Sequence, residues 1–349
     1  EDSPYIITTW VTTSILERMA RAGGVACVGT LPVGFKYIAH VLRCLEEEGS
    51  YTEQGWGRTL HAELEGFLLA AEESYGFLVT PELRDKDATG AALLLAELAS
   101  LQRDRGETLL DLLDRIHLEH GVVVNTLVSL VMQGANGLER IESIQASLRA
   151  EPPSRIAGCP VTAIVDWHDE QRFGPFRSST DERARNVLCF FLADGTKVTL
   201  RPSGTEPKNK TYVEVAGEPL PAGTSLALLE AERSRLRSWA REVADDSVCQ
   251  AMLRVGITVP EAALRISDLV PLEERLRVVQ VVAPRLLKEA YRLEQGETTL
   301  DEVRGWLERE LRPCGNDPRE LVAEGIFAAL DRQTIPLRVR ELVHNVLEG

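Results

Sequence analysis

The residues with the clearest chemical potential are Arg201-Pro-Ser-Gly-Thr-Glu-Pro-Lys208, which lie between two strand-like runs. The guanidinium can offer two parallel donors to a phosphate, and the two hydroxyls can donate further hydrogen bonds. The glycine lets successive backbone N–H groups turn toward one anion. A polar hairpin loop with incidental charge is the alternative. We predict a phosphate-binding loop formed by Arg201, Ser203, Gly204, Thr205, Lys208 and Lys210.

A second polar cluster, Glu72-Glu73-Ser74-Tyr75-Gly76, follows the apolar run Phe67 to Ala71. Carboxylates beside a hydroxyl can bind vicinal sugar hydroxyls or act as a general acid/base pair. Because neighbours on an extended strand point to opposite faces, we expect only one of the two glutamates to face a ligand. A solvated loop would have the same composition.

Two further clusters precede helix-like segments. Arg84-Asp85-Lys86-Asp87 places two cations before a helix start, where the helix N-terminus adds partial positive charge. Its alternative interpretation is a surface salt-bridge run. Gly34-Phe35-Lys36 opens another helix, and a glycine there permits close approach to a ligand, although a simple helix start explains it equally well. Together the four clusters suit a sugar phosphate.

The composition excludes some classes of partner. The chain has 349 residues and a net charge of −15, which disfavours nucleic acid. It has no apolar run long enough to predict a membrane span. Salt screens exposed charges beyond about 8 Å. The potential at the predicted loop should therefore depend on the local cations Lys197, Arg201, Lys208 and Lys210.

The cysteines and the first residues bear on the cellular context. Six cysteines without paired spacing predict free thiols in a reducing compartment, and hence the cytoplasm. The chain lacks an initiator methionine, which suggests a processed or truncated start.

The pattern of elements predicts three domains. Strand-like runs at 5–11 and 25–30 alternate with helical runs at 13–22 and 35–47, which indicates a parallel sheet, whereas 50–65 reads as irregular. Asp87 and Thr108 should cap helices, the second with Asp111 in a capping box and Gly121 as its end. Beyond the break at 151–154, short strands are predicted at 161–167, 187–193, 196–201 and 210–216, with an Asp194-Gly195 turn and a helix over 225–245.

The last hundred residues have helical periodicity. Ile266, Leu269, Leu272, Leu276 and Val279 form one predicted apolar stripe, and the region suits a packing or oligomerisation module. The predicted fold class is therefore an α/β three-layer domain over 1–150, a small α+β domain over 151–245 and an all-α extension over 246–349.

The ordered motifs V-G-T-L-P-V-G-F-K-Y-I (28–38), E-E-S-Y-G (72–76), R-D-K-D (84–87) and R-P-S-G-T-E-P-K (201–208) resemble the α-D-phosphohexomutase superfamily, in its phosphoglucomutase and phosphomannomutase branch. The resemblance covers about residues 5–245 and implies the third and fourth of four family domains. The catalytic phosphoserine motif and the Mg²⁺ loop belong to the first two, and neither motif occurs in this chain. Asp111-Leu-Leu-Asp114 comes nearest to the metal loop, but it lacks the glycine and lies in an amphipathic helix.

The resemblance also implies roles for individual residues. Glu72 and Ser74 would bind sugar hydroxyls in two orientations, with Gly34 and Lys36 beside them. Arg84 and Lys86 would hold the substrate or balance the phosphoserine, and the predicted loop would bind the phosphate that is not transferred. One departure is Val33, where family members often have threonine, so a hydroxyl donor is lost.

The implied function is the carboxyl-terminal portion of a phosphohexomutase, which works through a bisphosphate intermediate and needs Mg²⁺. Alone, this portion should be inactive, with no catalytic or metal-binding residue of its own. Its expected partners are a hexose or pentose phosphate and the N-terminal catalytic domains, and the helical tail is a candidate for homo-oligomer formation. The alternative is a non-catalytic sugar-phosphate-binding module with a helical partner domain. The gene sequence upstream of Glu1 would distinguish the two.

Overall fold

The computed structural model describes residues 3–132, 136–203, 207–331 and 334–348. The described chain is mixed α/β with a helical C-terminal region. The strands are β1 (Tyr5–Thr9), β2 (Ala26–Leu31), β3 (Ser50–Glu53), β4 (Arg58–His61), β5 (Phe67–Ala71), β6 (Phe77–Leu78), β7 (Val123–Val131), β8 (Arg155–Ile156), β9 (Cys159–Asp166), β10 (Leu188–Leu192), β11 (Lys197–Pro202) and β12 (Lys208–Ala216).

The helices alternate with the strands at first and then dominate. They are α1 (Ile15–Ala22), α2 (Phe35–Glu48), α3 (Ala88–Asp104), α4 (Leu109–His120), α5 (Gly137–Ala150), α6 (Glu170–Phe173), α7 (Ser179–Ala184), α8 (Leu226–Leu253), α9 (Glu261–Leu264), α10 (Leu272–Arg277), α11 (Ala283–Glu294), α12 (Leu300–Leu311), α13 (Pro318–Leu330) and α14 (Leu337–Glu348). Short 3-10 turns occupy Leu64–Gly66 and Arg312–Cys314, and a π-helical segment, Val278–Val282, joins α10 to α11.

The chain divides into two compact units. The first unit comprises Glu1–Leu127, Ser154–Leu200 and Tyr212–Ala244, and the second comprises Val128–Pro153, Arg201–Thr211 and Asp245–Gly349. This grouping by contacts differs from the three consecutive segments expected from the sequence, whose boundaries stay a prediction.

The first sheet lies in the first unit and has the order β2-β1-β5-β6. Strand β1 pairs in parallel with both β2 and β5, which confirms the parallel arrangement expected from the alternating strands and helices. Helix α2 buries Ile38, Val41 and Leu42 completely in the core of this sheet. Because the strands are parallel, the residues that follow β2 and β5 emerge at the same edge.

The expectation that residues 50–65 are irregular is wrong. Strands β3 and β4 form an antiparallel hairpin, and the hydroxyls of Thr52 and Thr59 lie 2.9 Å apart across it. Gly55 and Gly57, with φ of 79° and 67°, allow the turn. Each strand has only four residues and no continuous apolar run, so the pattern gave little signal.

The predicted helix caps are confirmed. The Asp87 carboxylate accepts hydrogen bonds from the N–H groups of Thr89 and Gly90, at 3.1 and 3.0 Å, and so begins α3. Thr108 and Asp111 form the capping box of α4, with hydrogen bonds of 2.7 and 3.2 Å.

The second sheet has the order β7-β12-β11-β10-β9-β8. Strands β10 and β11 are antiparallel, as the predicted Asp194-Gly195 turn requires. An aromatic cluster with Trp10, Trp167 and Phe173 lies in the first unit. Helices α6 and α7, between β9 and β10, were not expected.

The helices of the second unit share an apolar core. Val303, Leu307, Leu311 and Ile326 are buried there, in agreement with the predicted helical period. The predicted stripe is wrong at Leu269, which is 78% exposed, because α10 begins only at Leu272. Within the described ranges, no helix has the length and apolarity that crossing a membrane requires.

Candidate functional site

Gly34 and Glu72 come from two separate motifs and are in direct contact. Gly34 precedes α2 with φ of 134°, a conformation that other residues rarely adopt. Its N–H donates a hydrogen bond of 2.6 Å to Oε1 of Glu72, which follows β5. The Glu72 side chain is only 5% exposed, so its carboxylate is held at the N-terminus of α2, where the helix dipole favours a negative charge.

Lys86, from a third motif, completes this cluster. Its Nζ lies 3.7 Å from Oε2 of Glu72 and 5.8 Å from the centre of the Phe35 ring. Gly76 packs so closely that a Cβ there would lie 2.9 Å from both Glu72 and Phe35. Three predicted site residues, Gly34, Glu72 and Lys86, therefore meet around one carboxylate.

Two further predicted site residues, Arg84 and Lys36, have other contacts. Arg84 forms an ion pair of 2.8 Å with Glu46 of α2, as expected for a surface salt bridge. One guanidinium nitrogen, Nη1 of Arg84, is buried and has no hydrogen-bond partner among the described residues. Lys36 is exposed, and its ammonium lies 4.9 Å from the centre of the Tyr37 ring.

Ser74 and Glu73 lie beside Glu72 but face different surroundings. Ser74 is exposed, and so is its neighbour Tyr75, whose φ is 54°. Glu73 accepts a hydrogen bond of 3.0 Å from the Tyr212 hydroxyl through Oε1. Its other oxygen, Oε2, is buried without a partner in the part of the chain that the structure describes. The two adjacent carboxylates thus have separate environments, as the alternation along a strand predicts.

Glu73 and Ser74 line a cavity of ≈ 200 Å³ within the first unit. A buried ion pair forms another part of its wall, with Nζ of Lys197 3.2 Å from Oε1 of Glu214. Nζ of Lys197 also donates to the Trp10 carbonyl at 3.0 Å. Lys197 is therefore paired with a carboxylate, and its expected contribution to the potential at the phosphate loop stays a prediction.

Glu214 is the most completely satisfied carboxylate of this wall. Its Oε2 accepts hydrogen bonds from the Ser14 N–H at 2.8 Å and from the Asn125 amide at 2.9 Å. Burial alone would raise the pKa of Glu214, but the charge of Lys197 and the hydrogen bonds from Asn125 and Ser14 outweigh it and hold the pKa below its usual value.

The predicted phosphate loop lies in the second unit. Arg201 lies near the end of β11, and its buried Nε has no hydrogen-bond partner among the described residues. The Ser203 N–H donates to the Lys208 carbonyl at 2.7 Å and closes the loop, while the Met132 N–H donates to the Pro207 carbonyl at 2.9 Å.

The other residues of the predicted phosphate loop give less structural information. Gly204 and Thr205 lie outside the described residues, and Lys208 and Lys210 are half-buried. The loop and the Glu72 cluster belong to different units, so their meeting in one site stays a prediction.

Most residues of the cavity wall were not predicted from the sequence. Tyr212 and Glu214 are two residues apart on β12 and therefore share a face, which was the available signal. A glutamate between two valines, as in Val213-Glu214-Val215, can indicate a buried charge pair, but the partner Lys197 is not adjacent in sequence. Val33, which lacks the family's hydroxyl, packs against the aromatic cluster.

The described residues do not form a metal site. Within the described ranges, no group of three or more His, Cys, Asp or Glu side chains could hold one. Asp111 instead caps α4, and Asp114 pairs with Arg233 at 2.6 Å. The arrangement can bind hydroxyls and anions.

Comparisons with known proteins agree with the first unit's motifs. Residues 1–118 match the family described as phosphoglucomutase/phosphomannomutase, alpha/beta/alpha domain III. The phosphoglucomutase of Staphylococcus aureus strain MRSA252 is 34% identical over 213 residues, 60% of this chain and 35% of that protein. The phosphoglucomutase of strain N315 is 33% identical over 212 residues, with the same coverage of 60% and 35%. The chain thus spans about a third of the length of these relatives.

Among solved structures, the chain is similar to the open form of the Paramecium phosphoprotein pp63/parafusin, a phosphoglucomutase. The alignment covers 74% of this chain and 39% of that protein's chain, with 14% sequence identity and a TM-score of 0.45. That likeness is too low to support an argument about fold. The sequence matches carry the likeness: over the region that they cover, the chain is similar to proteins of the phosphoglucomutase/phosphomannomutase family.

Proposed function

We propose that this chain is the sugar- and phosphate-binding portion of a phosphohexomutase. The observation that carries the proposal is the contact between Gly34, Glu72 and Lys86, which come from three separate motifs and meet around one buried carboxylate. An incidental set of polar loops would have no reason to converge in this way. The exposed Ser74 hydroxyl, two residues after Glu72 in the chain, suits a carbohydrate hydroxyl.

The phosphate would bind at the loop that begins at Arg201. The buried Nε of Arg201 without a described partner supports this assignment, because a buried guanidinium donor is costly unless an acceptor reaches it. A phosphate oxygen is a suitable acceptor, and Lys208 and Lys210 would add charge nearby. The loop would hold the phosphate that is not transferred.

The proposed reaction of the whole enzyme is an intramolecular phosphoryl transfer through a bisphosphate intermediate. Such chemistry depends mainly on positioning and on charge neutralisation. This chain's residues would bind the sugar and the spectator phosphate, and Mg²⁺ and the phosphoserine would belong to other domains. We accordingly expect the chain alone to bind hexose phosphates weakly and to have no mutase turnover.

The finer organisation belongs to the same proposal. We propose a three-layer α/β domain over 1–150, a small α+β domain over 151–245 and a helical extension over 246–349 as the functional parts. The N-terminal catalytic domains would be the main partner, the helical extension a site of self-association, and the cytoplasm the compartment.

The test is a calorimetric titration of the chain with glucose 1-phosphate. Arg201→Ala removes a bidentate, charge-assisted partner and should weaken binding roughly 10- to 150-fold, or about 1.5–3 kcal/mol. Arg304→Ala is the matched control, because Nε of Arg304 is also buried without a described partner but lies in the helical region. Equal affinity of Arg201→Ala and the native chain would refute the phosphate-loop assignment.

A further inference from the structure

A different cavity of the first unit lies between helix α2, strand β3 and the segment that runs from α6 to α7. We call it the α2–α7 cavity. Among the described residues that line it, none is a predicted sugar- or phosphate-binding residue. Its volume is ≈ 70 Å³. One water needs about 10–15 Å³ of such volume, so the cavity has room for about five to seven waters or for one tetrahedral oxyanion.

The charged side chains of this cavity leave one cation without a counter-ion. Two guanidinium groups, of Arg177 and Arg185, and one carboxylate, of Asp181, line it. Arg185 pairs with Asp181 at 3.7 Å, and its Nε donates to the Trp167 carbonyl at 3.0 Å. The Arg177 side chain has no carboxylate partner in the part of the chain that the structure describes. The lining therefore carries a net positive charge, although the whole chain carries −15.

The imidazole of His40 responds to this uncompensated charge. Nη1 of Arg177 lies 2.9 Å from Nε2 of His40. Burial and the charges of Arg177 and Arg43 lower the pKa of His40, and the opposing effect of Glu48 is smaller. The ring is therefore neutral at pH 7, and Nε2 can accept the arginine N–H. An anion bound beside Arg177 would offset its charge and raise the pKa of His40.

Two neutral donors add to the wall. The Tyr51 hydroxyl has no hydrogen-bond partner within the described ranges and is not sealed from solvent. Burial raises the pKa of Tyr51 to about 12, so the hydroxyl keeps its proton at neutral pH. The exposed amide of Gln54 is a further donor. The one carboxylate of the lining, Asp181, already accepts a hydrogen bond of 2.8 Å from the Tyr37 hydroxyl.

We propose that the α2–α7 cavity binds a small oxyanion of the size of phosphate, held by the Arg177 guanidinium with the Tyr51 hydroxyl and the Gln54 amide as further donors. A guanidinium offers two parallel donors to such an ion. The proposal goes beyond the proposed function, because the phosphate loop that begins at Arg201 lies in the second unit and this cavity lies in the first. The bound anion would link α2 to the segment that precedes α7.

The test is an NMR titration of the full chain with inorganic phosphate, observed at the imidazole Cε1–H of His40. Additions of sodium chloride at equal ionic strength correct for screening. In the native chain, phosphate should shift this resonance saturably and raise the pKa of His40. Arg177→Met removes the charge-assisted partner and should weaken phosphate binding roughly 10-fold or more.

Arg43→Met is the matched control. Arg43 is exposed on α2 and also lowers the pKa of His40, but it does not line the cavity. This variant should keep the response of His40 to phosphate. Arg201→Ala should keep it too, which separates the α2–α7 cavity from the predicted phosphate loop.

Three results would overturn the proposal and leave the proposed function standing. They are equal phosphate affinity of Arg177→Met and the native chain, a His40 resonance that responds no more to phosphate than to chloride, and loss of the response in Arg201→Ala. If Arg177→Met also lowers the thermal midpoint, Tyr51→Phe decides, because it removes one donor and keeps the cation. Tyr51→Phe should weaken phosphate binding roughly 3- to 10-fold, and native affinity in this variant would refute the assigned site.

Discussion

The two carboxylates on the cavity wall, Glu73 and Glu214, differ in how completely the protein satisfies them. Glu214 has an ammonium partner and two hydrogen-bond donors, from Ser14 and Asn125. Glu73 has one described donor, and its second oxygen is buried without one. Removing one partner from a satisfied buried charge destabilises the fold, whereas a buried polar atom without a partner already costs stability in the native chain.

The largest effect is expected when Glu214 loses its ammonium partner, Lys197. Lys197→Met should destabilise the chain by roughly 3–5 kcal/mol, because it leaves a buried charge without its cation. Urea unfolding at neutral pH measures the change. Lys288→Met, at an exposed position in the helical region, is the control.

A second variant makes this test specific to the charge pair. Lys197→Met combined with Glu214→Gln should recover part of the lost stability, since neither group then carries a charge. A loss below about 1 kcal/mol for Lys197→Met would place the pair among ordinary surface ion pairs and remove the contrast with Glu73.

The next largest effect should be a loss of folding stability at low pH, when Glu214 becomes protonated. The pKa of Glu214 lies below its ordinary value of 4.5 in the folded chain, because the Lys197 charge and two hydrogen bonds outweigh burial. Between the folded and the unfolded pKa the unfolded chain binds more protons, so stability falls as the pH decreases below about 4.5. We expect native unfolding midpoints to fall more steeply than those of Glu214→Gln between pH 5.5 and 3.

The appropriate comparison for the acid experiment is Glu302→Gln. The pKa of Glu302 is also below its ordinary value, because of hydrogen bonds from Thr299 and Thr298 at a helix cap, but the group is exposed. Its removal should change the pH profile less than removal of Glu214 does. Parallel profiles for the native chain and Glu214→Gln would show that this carboxylate contributes no acid-dependent stability.

Sequence patterns predicted the elements that local chemistry determines. The caps at Asp87 and Thr108 follow from short-range hydrogen bonds, and the parallel order of β1, β2 and β5 follows from alternating strands and helices. Leu269 was misassigned because heptad-like spacing continues through residues that precede the start of α10.

The site was predictable only in part, for a physical reason. Gly34, Glu72 and Lys86 lie at strand and helix ends, and motif order was enough to group them. The pairing of Lys197 with Glu214, and of Glu73 with Tyr212, depends on which strands become neighbours. Side-chain contacts across 17 or 139 positions leave no local signal, so the unsatisfied oxygen of Glu73 could be found only from coordinates.

The smallest expected effect concerns Arg84. Like Glu214 it has an ion-pair partner, and like Glu73 it has one buried polar atom without a described partner. It pairs with Glu46 at 2.8 Å on a partly exposed surface, yet its Nη1 is buried without a described partner. Arg84→Met should cost less than about 1 kcal/mol of folding stability, as exposed pairs do. If the arginine also attracts the substrate, glucose 1-phosphate affinity should fall roughly fivefold, corresponding to about 1 kcal/mol. Glu46→Gln breaks the same pair but keeps the cation, so a drop in affinity equal to that of Arg84→Met would assign the effect to the pair and deny Arg84 a role in binding.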